Sequence, residues 1–180
     1  MKRRKMPIKY STIKTNAIKT VAEHMVTAAR TAPKTKGQDN LVIAILDKKD
    51  ISKIRSKMKQ ISKRDNRPGC MRDADNIKNT EYIVVIATKK AILGLNCGFC
   101  GYTSCLELSK TKGMCVYNAM DLGIALGSAS GISSTFHIDS RLMYSIGKAV
   151  LESGIIGKNL TQAIGIPLSA TGKNPFFDRK

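Results

Sequence analysis

Four cysteines within 19 residues constrain the fold of this chain more than any other feature of its sequence. Cys97, Cys100, Cys105 and Cys115 follow the spacing C-x2-C-x4-C-x9-C, whereas Cys70 stands alone. In a compartment that is not oxidising, clustered cysteines are metal ligands more often than partners in disulfides. The segment therefore predicts a metal centre built from four thiolates.

The residues between the cysteines suit such a centre. Gly98 and Gly101 flank the C-x2-C pair, and glycine permits the backbone angles of a tight turn with N–H groups available to sulfur. We expect four apolar side chains to shield the site from water: Leu95, Phe99, Leu106 and Leu108. Four thiolates suit either a tetrahedral zinc ion or an iron–sulfur cluster, and the spacing alone leaves both open.

Composition limits the class of protein. A length of 180 residues with 42% hydrophobic and 24% charged residues is typical of one globular domain, here residues 1–180. No apolar run approaches the roughly 18 residues of a membrane helix. The basic start at residues 2–5 is followed by polar residues, not by the apolar core of a secretory signal. We expect a cytoplasmic protein with no membrane association.

The net charge of +18 is concentrated in the first half of the chain. Residues 1–80 contain 21 Lys and Arg against 7 Asp and Glu. Such a basic half can attract nucleic acid, anionic cofactors or acidic proteins. Lysines outnumber arginines and aromatic residues make up only 5%, which favours a solvated lysine-rich surface over a nucleic-acid interface.

Hydrophobic periodicity predicts a mixture of helices and strands. Helices are predicted over 16–30, from an Asp50 cap through Ile61, over 114–130, and from an Asp139 cap through Val150. Strands are predicted over 41–46, 82–88, 91–95 and 163–167, with a polar loop over 64–76 that has room for one helical turn. The two types of element do not alternate strictly, which favours an α+β layered fold.

The helix predicted over 114–130 has an unusual face. Val116, Ala119, Met120, Gly123, Ile124 and Gly127 share it. Each glycine costs roughly 1 kcal/mol of helix stability relative to alanine. We expect the glycines to let another backbone or a flat cofactor approach closely.

The cysteine segment resembles a known cofactor domain. The stretch LNCGFCGYTSCLEL (residues 95–108), followed by Cys115, resembles the short [4Fe-4S] domain with the pattern C-G-x-C-G-Y/F-x-x-C…C, and Tyr102 matches its aromatic position. The resemblance implies a [4Fe-4S] cluster bound within residues 95–115. Its ligands would be Cys97, Cys100, Cys105 and Cys115.

The resemblance extends over nearly the whole chain. AARTAPKTKGQDN (28–40), RDADN (72–76), DLGIALGSA (121–129) and IGIPLSATGKNPFFDR (164–179) resemble the uncharacterised ferredoxin-domain-containing protein family. More distantly, the same segments are similar to the flavin-dependent nitroreductase fold. The resemblance implies an α+β nitroreductase-like fold with an antiparallel central sheet, flanking helices and an inserted four-cysteine loop. It also implies an obligate homodimer with flavin at the subunit interface.

Flavin binding is a separate expectation. Nitroreductases bind the flavin phosphate with an arginine-rich stretch, whereas this chain reads KYSTIKTN over 9–16. Candidate contacts to FMN or another anion are Lys34, Lys36, Lys173 and Arg179.

Two classes of function follow. The first is a [4Fe-4S] redox protein that transfers single electrons and, if it is an enzyme, a flavin-linked oxidoreductase whose partner protein or substrate is open. The alternative is a zinc-stabilised nucleic-acid-binding module that uses the basic half of the chain. In a third interpretation the cluster is a structural staple or an oxygen sensor.

Overall fold

The computed structural model describes residues 7–177. Its helices are α1 (Tyr10–Thr31), α2 (Lys48–Arg64), α3 (Pro68–Asn76), α4 (Cys105–Ser109), α5 (Val116–Thr135) and α6 (Tyr144–Ser153). Its strands are β1 (Leu41–Leu46), β2 (Ile83–Lys89), β3 (Asp139–Ser140) and β4 (Leu160–Ser169). No helix in this part of the chain is both long enough and apolar enough to cross a membrane.

The four strands form one antiparallel sheet in the order β1-β2-β4-β3. Residues 83–88 of β2 are buried, because both of its neighbours are strands and both faces of the sheet carry helices. Val84 and Ile86 belong to the core on one face, and Ile83 and Val85 to the core on the other. This alternation follows from the two-residue period of a strand. The α+β fold with an antiparallel central sheet is therefore confirmed.

Helices α1 and α5 form the layer on the first face. The buried residues of α1 are Ile18, Val21, Ala22, Met25 and Ala29, which the helical periodicity predicts. The buried residues of α5 lie outside the predicted glycine-bearing face and include Leu122, Ala125, Leu126 and Ala129. Met120 and Ile124 are 48% and 43% exposed, so the glycine-bearing face points away from this core. Helix α5 is apolar on both sides, and periodicity alone selects neither.

Helices α2, α3 and α6 form the layer on the second face. Helix α6 lies directly on β4, since a Cβ added to Gly147 would come within 1.7 Å of the Ala163 carbonyl oxygen. A Cβ on Gly165 would likewise come within 2.3 Å of the Ile146 side chain. The two glycines thus permit a helix and a strand to pack backbone against backbone.

Several sequence predictions about element boundaries are wrong. Helix α2 is capped by Asp47, which accepts hydrogen bonds from the N–H groups of Lys49 and Asp50, so Asp50 lies inside the helix. The segment 64–76, predicted as a loop with room for one helical turn, contains α3, a longer helix of nine residues. Tertiary contacts stabilise α3, since the Ser145 hydroxyl donates to Asp73 at 2.6 Å.

Two further corrections concern the second half of the chain. The predicted strand over 91–95 is not a strand, because Leu93 is buried in a local core and Gly94 has a φ of 70°. Asp139 lies in β3 and does not cap α6, whose N-cap is Met143. Helix α6 ends at Ser153, and Gly154 is its left-handed C-cap.

Candidate metal centre

The cysteine segment is inserted between β2 and α5. Cys97 and Cys100 lie in a loop without regular structure, Cys105 is the first residue of α4, and Cys115 is the N-cap of α5. All four thiols are free. The two helix starts hold the later pair of cysteines, whereas the first pair depends on turns in the loop.

Left-handed glycines shape the loop around the first pair. Gly98 has a φ of 73° and Gly101 a φ of 83°, and the Gly101 N–H donates to the Gly98 carbonyl at 2.9 Å. This tight turn encloses Phe99 and Cys100. The expectation that glycine is needed here for its backbone angles is confirmed.

Asn96 connects the loop to α4. Its backbone N–H donates to Sγ of Cys105 at 3.3 Å, and the Cys105 N–H donates to Oδ1 of Asn96 at 2.8 Å. Asn96 has a φ of 48°, a conformation that asparagine tolerates better than most residues. The thiolate is the form of cysteine that binds metal. Sequence reasoning missed Asn96, although its position directly before Cys97 was available as a signal.

A small apolar core supports the segment. Leu93, Leu108 and Cys115 are buried together, and Cys100 and Tyr102 pack against them. The Phe99 ring stacks on Tyr117 of α5 with centroids 6.1 Å apart. Cys115, which ends the motif, is therefore in the interior of the segment.

The expected water shield is only partly correct. Leu108 is 1% exposed and belongs to the small core. Three of the expected shielding side chains lie at the surface instead: Leu95 (41% exposed), Leu106 (67%) and Phe99 (71%). The segment is thus apolar inside and also carries apolar side chains on its outer surface.

The four thiols suit a metal centre because cysteine is a common metal ligand and because all four lie in one segment of the chain. Among residues 7–177, no three His, Cys, Asp or Glu side chains are already arranged to hold a metal ion. Ligation would therefore require side-chain and loop adjustment. Residues 90–104 form neither helix nor strand, so adjustment there breaks no regular hydrogen bonding.

Comparison with known proteins gives the family. Residues 111–179 match the family described as "Uncharacterized protein containing a ferredoxin domain (DUF2148)". A protein of Archaeoglobus fulgidus, called "Uncharacterized protein", is 39% identical over 175 residues, which span 92% of this chain and 94% of that protein. The chain belongs to this ferredoxin-domain family. The matched residues include Cys115, whereas the other three cysteines lie before them.

Solved structures with the same fold are nitroreductases and related oxidoreductases. A nitroreductase with bound FMN from Bacteroides fragilis has a TM-score of 0.63 at 9% identity, over 99% of this chain and 84% of that one. The hypothetical oxidoreductase YcnD from Bacillus subtilis has a TM-score of 0.51 at 11% identity, over 95% of this chain. The chain spans only 61% of YcnD. At these identities the likeness shows the fold, and the predicted nitroreductase-like fold is confirmed for this ferredoxin-domain protein.

The lysines predicted to contact an anion lie in two regions. Nζ of Lys34 donates to the carbonyls of Arg30 and Ala32 at 2.5 and 2.8 Å, so this ammonium group caps the end of α1. Nζ of Lys36 is 3.9 Å from the position that a Cβ on Gly94 would take, at the start of the cysteine loop. These two lysines are close to the metal segment.

Lys173 lies at the opposite end of α1. The Tyr10 hydroxyl at the start of α1 donates to the Ala170 carbonyl at 3.0 Å, three residues before Lys173. Since α1 has 22 residues, its two ends are about 33 Å apart. One chain therefore does not bring Lys34 and Lys173 together. Arg179 lies outside the described residues.

Buried Asp121 is a second residue that sequence reasoning missed. Its carboxylate is 4% exposed and accepts hydrogen bonds from the Thr35 N–H at 3.0 Å and the Thr35 hydroxyl at 2.9 Å. This contact holds the turn that contains Lys36 against α5. The turn after α1 and the start of the cysteine loop are thereby kept on one side of the molecule.

Proposed function

We propose that this ferredoxin-domain protein is a redox protein that binds a [4Fe-4S] cluster through Cys97, Cys100, Cys105 and Cys115 and exchanges single electrons with a partner. The observation that carries the proposal is the contact between the Asn96 N–H and Sγ of Cys105 inside a four-cysteine segment. Hydrogen bonds from backbone N–H groups to cysteine sulfur are one means by which proteins tune iron–sulfur centres.

The residues of the segment would each have a physical role. A bound cluster supplies a one-electron couple. The four thiolates would hold it, and the buried side chains of Leu93 and Leu108 would exclude water from its inner side. Phe99 and Leu106, both exposed, form an apolar outer surface next to the cysteines that suits contact with a redox partner.

A second copy of the chain is the partner that the exposed face of α5 suits best. Met120 and Ile124 are half-exposed there, and a Cβ on Gly123 or Gly127 would meet nothing within 4 Å in a single chain. Apolar side chains and bare backbone on one helix face favour close packing against another backbone. We propose that this face forms a homodimer interface.

Binding of FMN would depend on that dimer. Solved structures with this fold include the Bacteroides fragilis nitroreductase with bound FMN and an FMN-dependent nitroreductase from Clostridium difficile. In this chain Lys34 and Lys173 lie near opposite ends of α1. A phosphate that contacts both would need one lysine from each of two copies.

The decisive experiment is purification without oxygen, followed by iron, acid-labile sulfide and zinc assays on the sample used for the visible spectrum. We expect about four iron and four sulfide per chain and a broad band near about 400 nm that dithionite bleaches. Additional bands at about 370 and 450 nm would indicate bound flavin and would extend the proposal to a flavin-linked reaction. One zinc per chain without sulfide would overturn the proposal and favour the zinc-stabilised nucleic-acid module.

A further inference from the structure

A cavity of about 370 Å³ lies between the first turns of α2 and the segment that joins α3 to β2. It is remote in sequence from the cysteine segment. Among the described residues that line it are the cationic side chains of Lys48, Arg55 and Lys78, and none of these described lining residues is Asp or Glu. A concave surface with one sign of charge concentrates ions of the opposite sign.

Arg55 is held in position by neighbouring backbone. Its Nε donates to the Ala74 carbonyl at 2.7 Å, and one Nη lies 3.9 Å from the carboxylate of Asp75. The Arg55 side chain is only 21% exposed. A guanidinium group has five N–H donors, so one strong bond to a carbonyl leaves most of them for a ligand. This positioned fork suits the oxygens of a phosphate.

The two lysines have no ion pair within residues 7–177. Asp47, next to Lys48, uses its carboxylate to cap α2. The charge of Lys48 is one of the causes that lower the pKa of Glu81. The Glu81 carboxylate nevertheless forms its ion pair with Lys14, at 3.2 Å. The positive charge of Lys48 and Lys78 is therefore not neutralised by contact with a carboxylate in this part of the chain.

Thr80 is a second and independent indication of a ligand. It lines this cavity and also a neighbouring one, it is 6% exposed, and its hydroxyl has no hydrogen-bond partner among residues 7–177. A buried hydroxyl without a partner costs free energy, so such groups usually have a ligand or water. Ser52 and Asn79 add further polar groups to the lining.

We propose that this cavity binds a small molecule that carries phosphate groups. Three cations and several hydroxyl or amide groups match the charge and hydrogen bonding of a phosphate ester. Ile51 is the one apolar residue of the lining, which has no aromatic ring, so the ligand is a compact polyanion and not a flavin or a nucleobase. The volume lies near the lower end for small-molecule sites, about 300 to 1,000 Å³. This proposal is independent of the proposed redox function.

The test is isothermal titration calorimetry, in which pyrophosphate is added to the full chain at constant ionic strength. Lys78→Gln removes one charge at the cavity, and we expect it to weaken binding about tenfold. Lys63→Gln is the matched control, because Lys63 is an exposed residue of α2 outside the cavity and the loss of charge is the same. We expect this control to retain the wild-type affinity within about twofold.

Thr80→Val and Arg55→Gln test the remaining contacts, with folding checked by circular dichroism. Thr80→Val keeps the shape and the net charge, so weaker binding by this variant supports a built site. Equal weakening by Lys63→Gln and Lys78→Gln would overturn the proposal, since it would reflect net charge alone. No binding of pyrophosphate at millimolar concentration would also overturn it. So would a single-stranded oligonucleotide that binds far more tightly than pyrophosphate, because the surface would then recognise a nucleic-acid backbone.

Discussion

Asn96 and Cys105 exchange two hydrogen bonds across the base of the cysteine loop. The backbone N–H of Asn96 donates to Sγ of Cys105, and the Cys105 N–H donates to the Asn96 side-chain oxygen. One residue thus acts on a proposed ligand and on the start of the helix that carries this ligand. The relationship leads to the first prediction.

Asn96→Ala removes the side-chain acceptor and leaves a non-glycine residue at a positive φ. We expect it to speed iron release to a chelator by about fivefold, because a lost cap of this kind costs about 1 kcal/mol. Asn96→Gly also lacks the acceptor but tolerates the backbone angle. Release from the glycine variant should therefore be intermediate. Wild-type release rates in both variants would contradict the role of Asn96.

Cys105→Ser and Cys115→Ser are expected to lose most iron and sulfide after anaerobic purification. The matched control is Cys70→Ala. Cys70 lies in the core of α2, α3 and α6, is 0% exposed, and has a pKa raised by burial and by the nearby charge of Asp73. A thiol with a raised pKa is a poor nucleophile and a poor ligand. The control should retain its iron, and iron loss only in Cys70→Ala would contradict the ligand assignment.

The pH dependence of stability should involve Arg64. Its guanidinium donates to Glu152 at 2.9 and 2.8 Å and to Asp65 at 2.6 Å, and these hydrogen bonds lower the pKa of both carboxyl groups. Groups with a pKa lowered on folding stabilise the protein above their unfolded pKa, near about 4. That contribution disappears as pH falls through the lower pKa of the folded state. We expect acid to reduce the free energy of unfolding.

Arg64→Gln should make that loss smaller. Urea unfolding at low ionic strength gives, for each protein, the difference in the free energy of unfolding between pH 7 and pH 3. The difference should be smaller in Arg64→Gln than in the wild type, and unchanged in Lys63→Gln. High salt should reduce the effect, since these groups are at the surface. Equal differences in all three proteins would contradict the assignment.

Gly147→Ala should strongly destabilise the layer that contains α6. The added methyl group would overlap the Ala163 carbonyl oxygen at 1.7 Å, so α6 must move away from β4. We expect a loss of about 3 kcal/mol or more in the free energy of unfolding. Gly172→Ala, outside α5 and α6, is the control, because among residues 7–177 its added methyl group would meet nothing within 4 Å. A Gly147→Ala variant as stable as the wild type would contradict the close contact between α6 and β4.

Ile124→Lys should convert the proposed dimer to a monomer, because a charge on the exposed face of α5 is costly to bury between two chains. The control is Leu106→Lys, the same type of change on an exposed side chain of the cysteine segment. Light scattering coupled to gel filtration measures the mass. A wild-type protein that is monomeric at micromolar concentration would contradict the interface.

Local patterns predicted the strongest elements well. Strand β1 has the predicted limits because its six residues form one continuous apolar run, and α1 buries the predicted apolar residues because they recur at helical spacing. Helix α3 could not be predicted, because its short and polar sequence is stabilised by distant contacts such as that between Asp73 and Ser145. The side chains at residues 95, 99 and 106 are apolar, but their exposure depends on how the loop packs against α5.

The sequence by itself determined that this chain mixes helices and strands in an α+β fold and has a segment with four thiols, because hydrophobic period and cysteine spacing are local properties. Only the tertiary structure decided which face of α5 is buried, that Asn96 contacts Cys105, and that Lys34 and Lys173 lie near opposite ends of α1. Those facts depend on distances between residues far apart in the chain. Such distances follow from how the helices pack on the sheet, and no local pattern contains them.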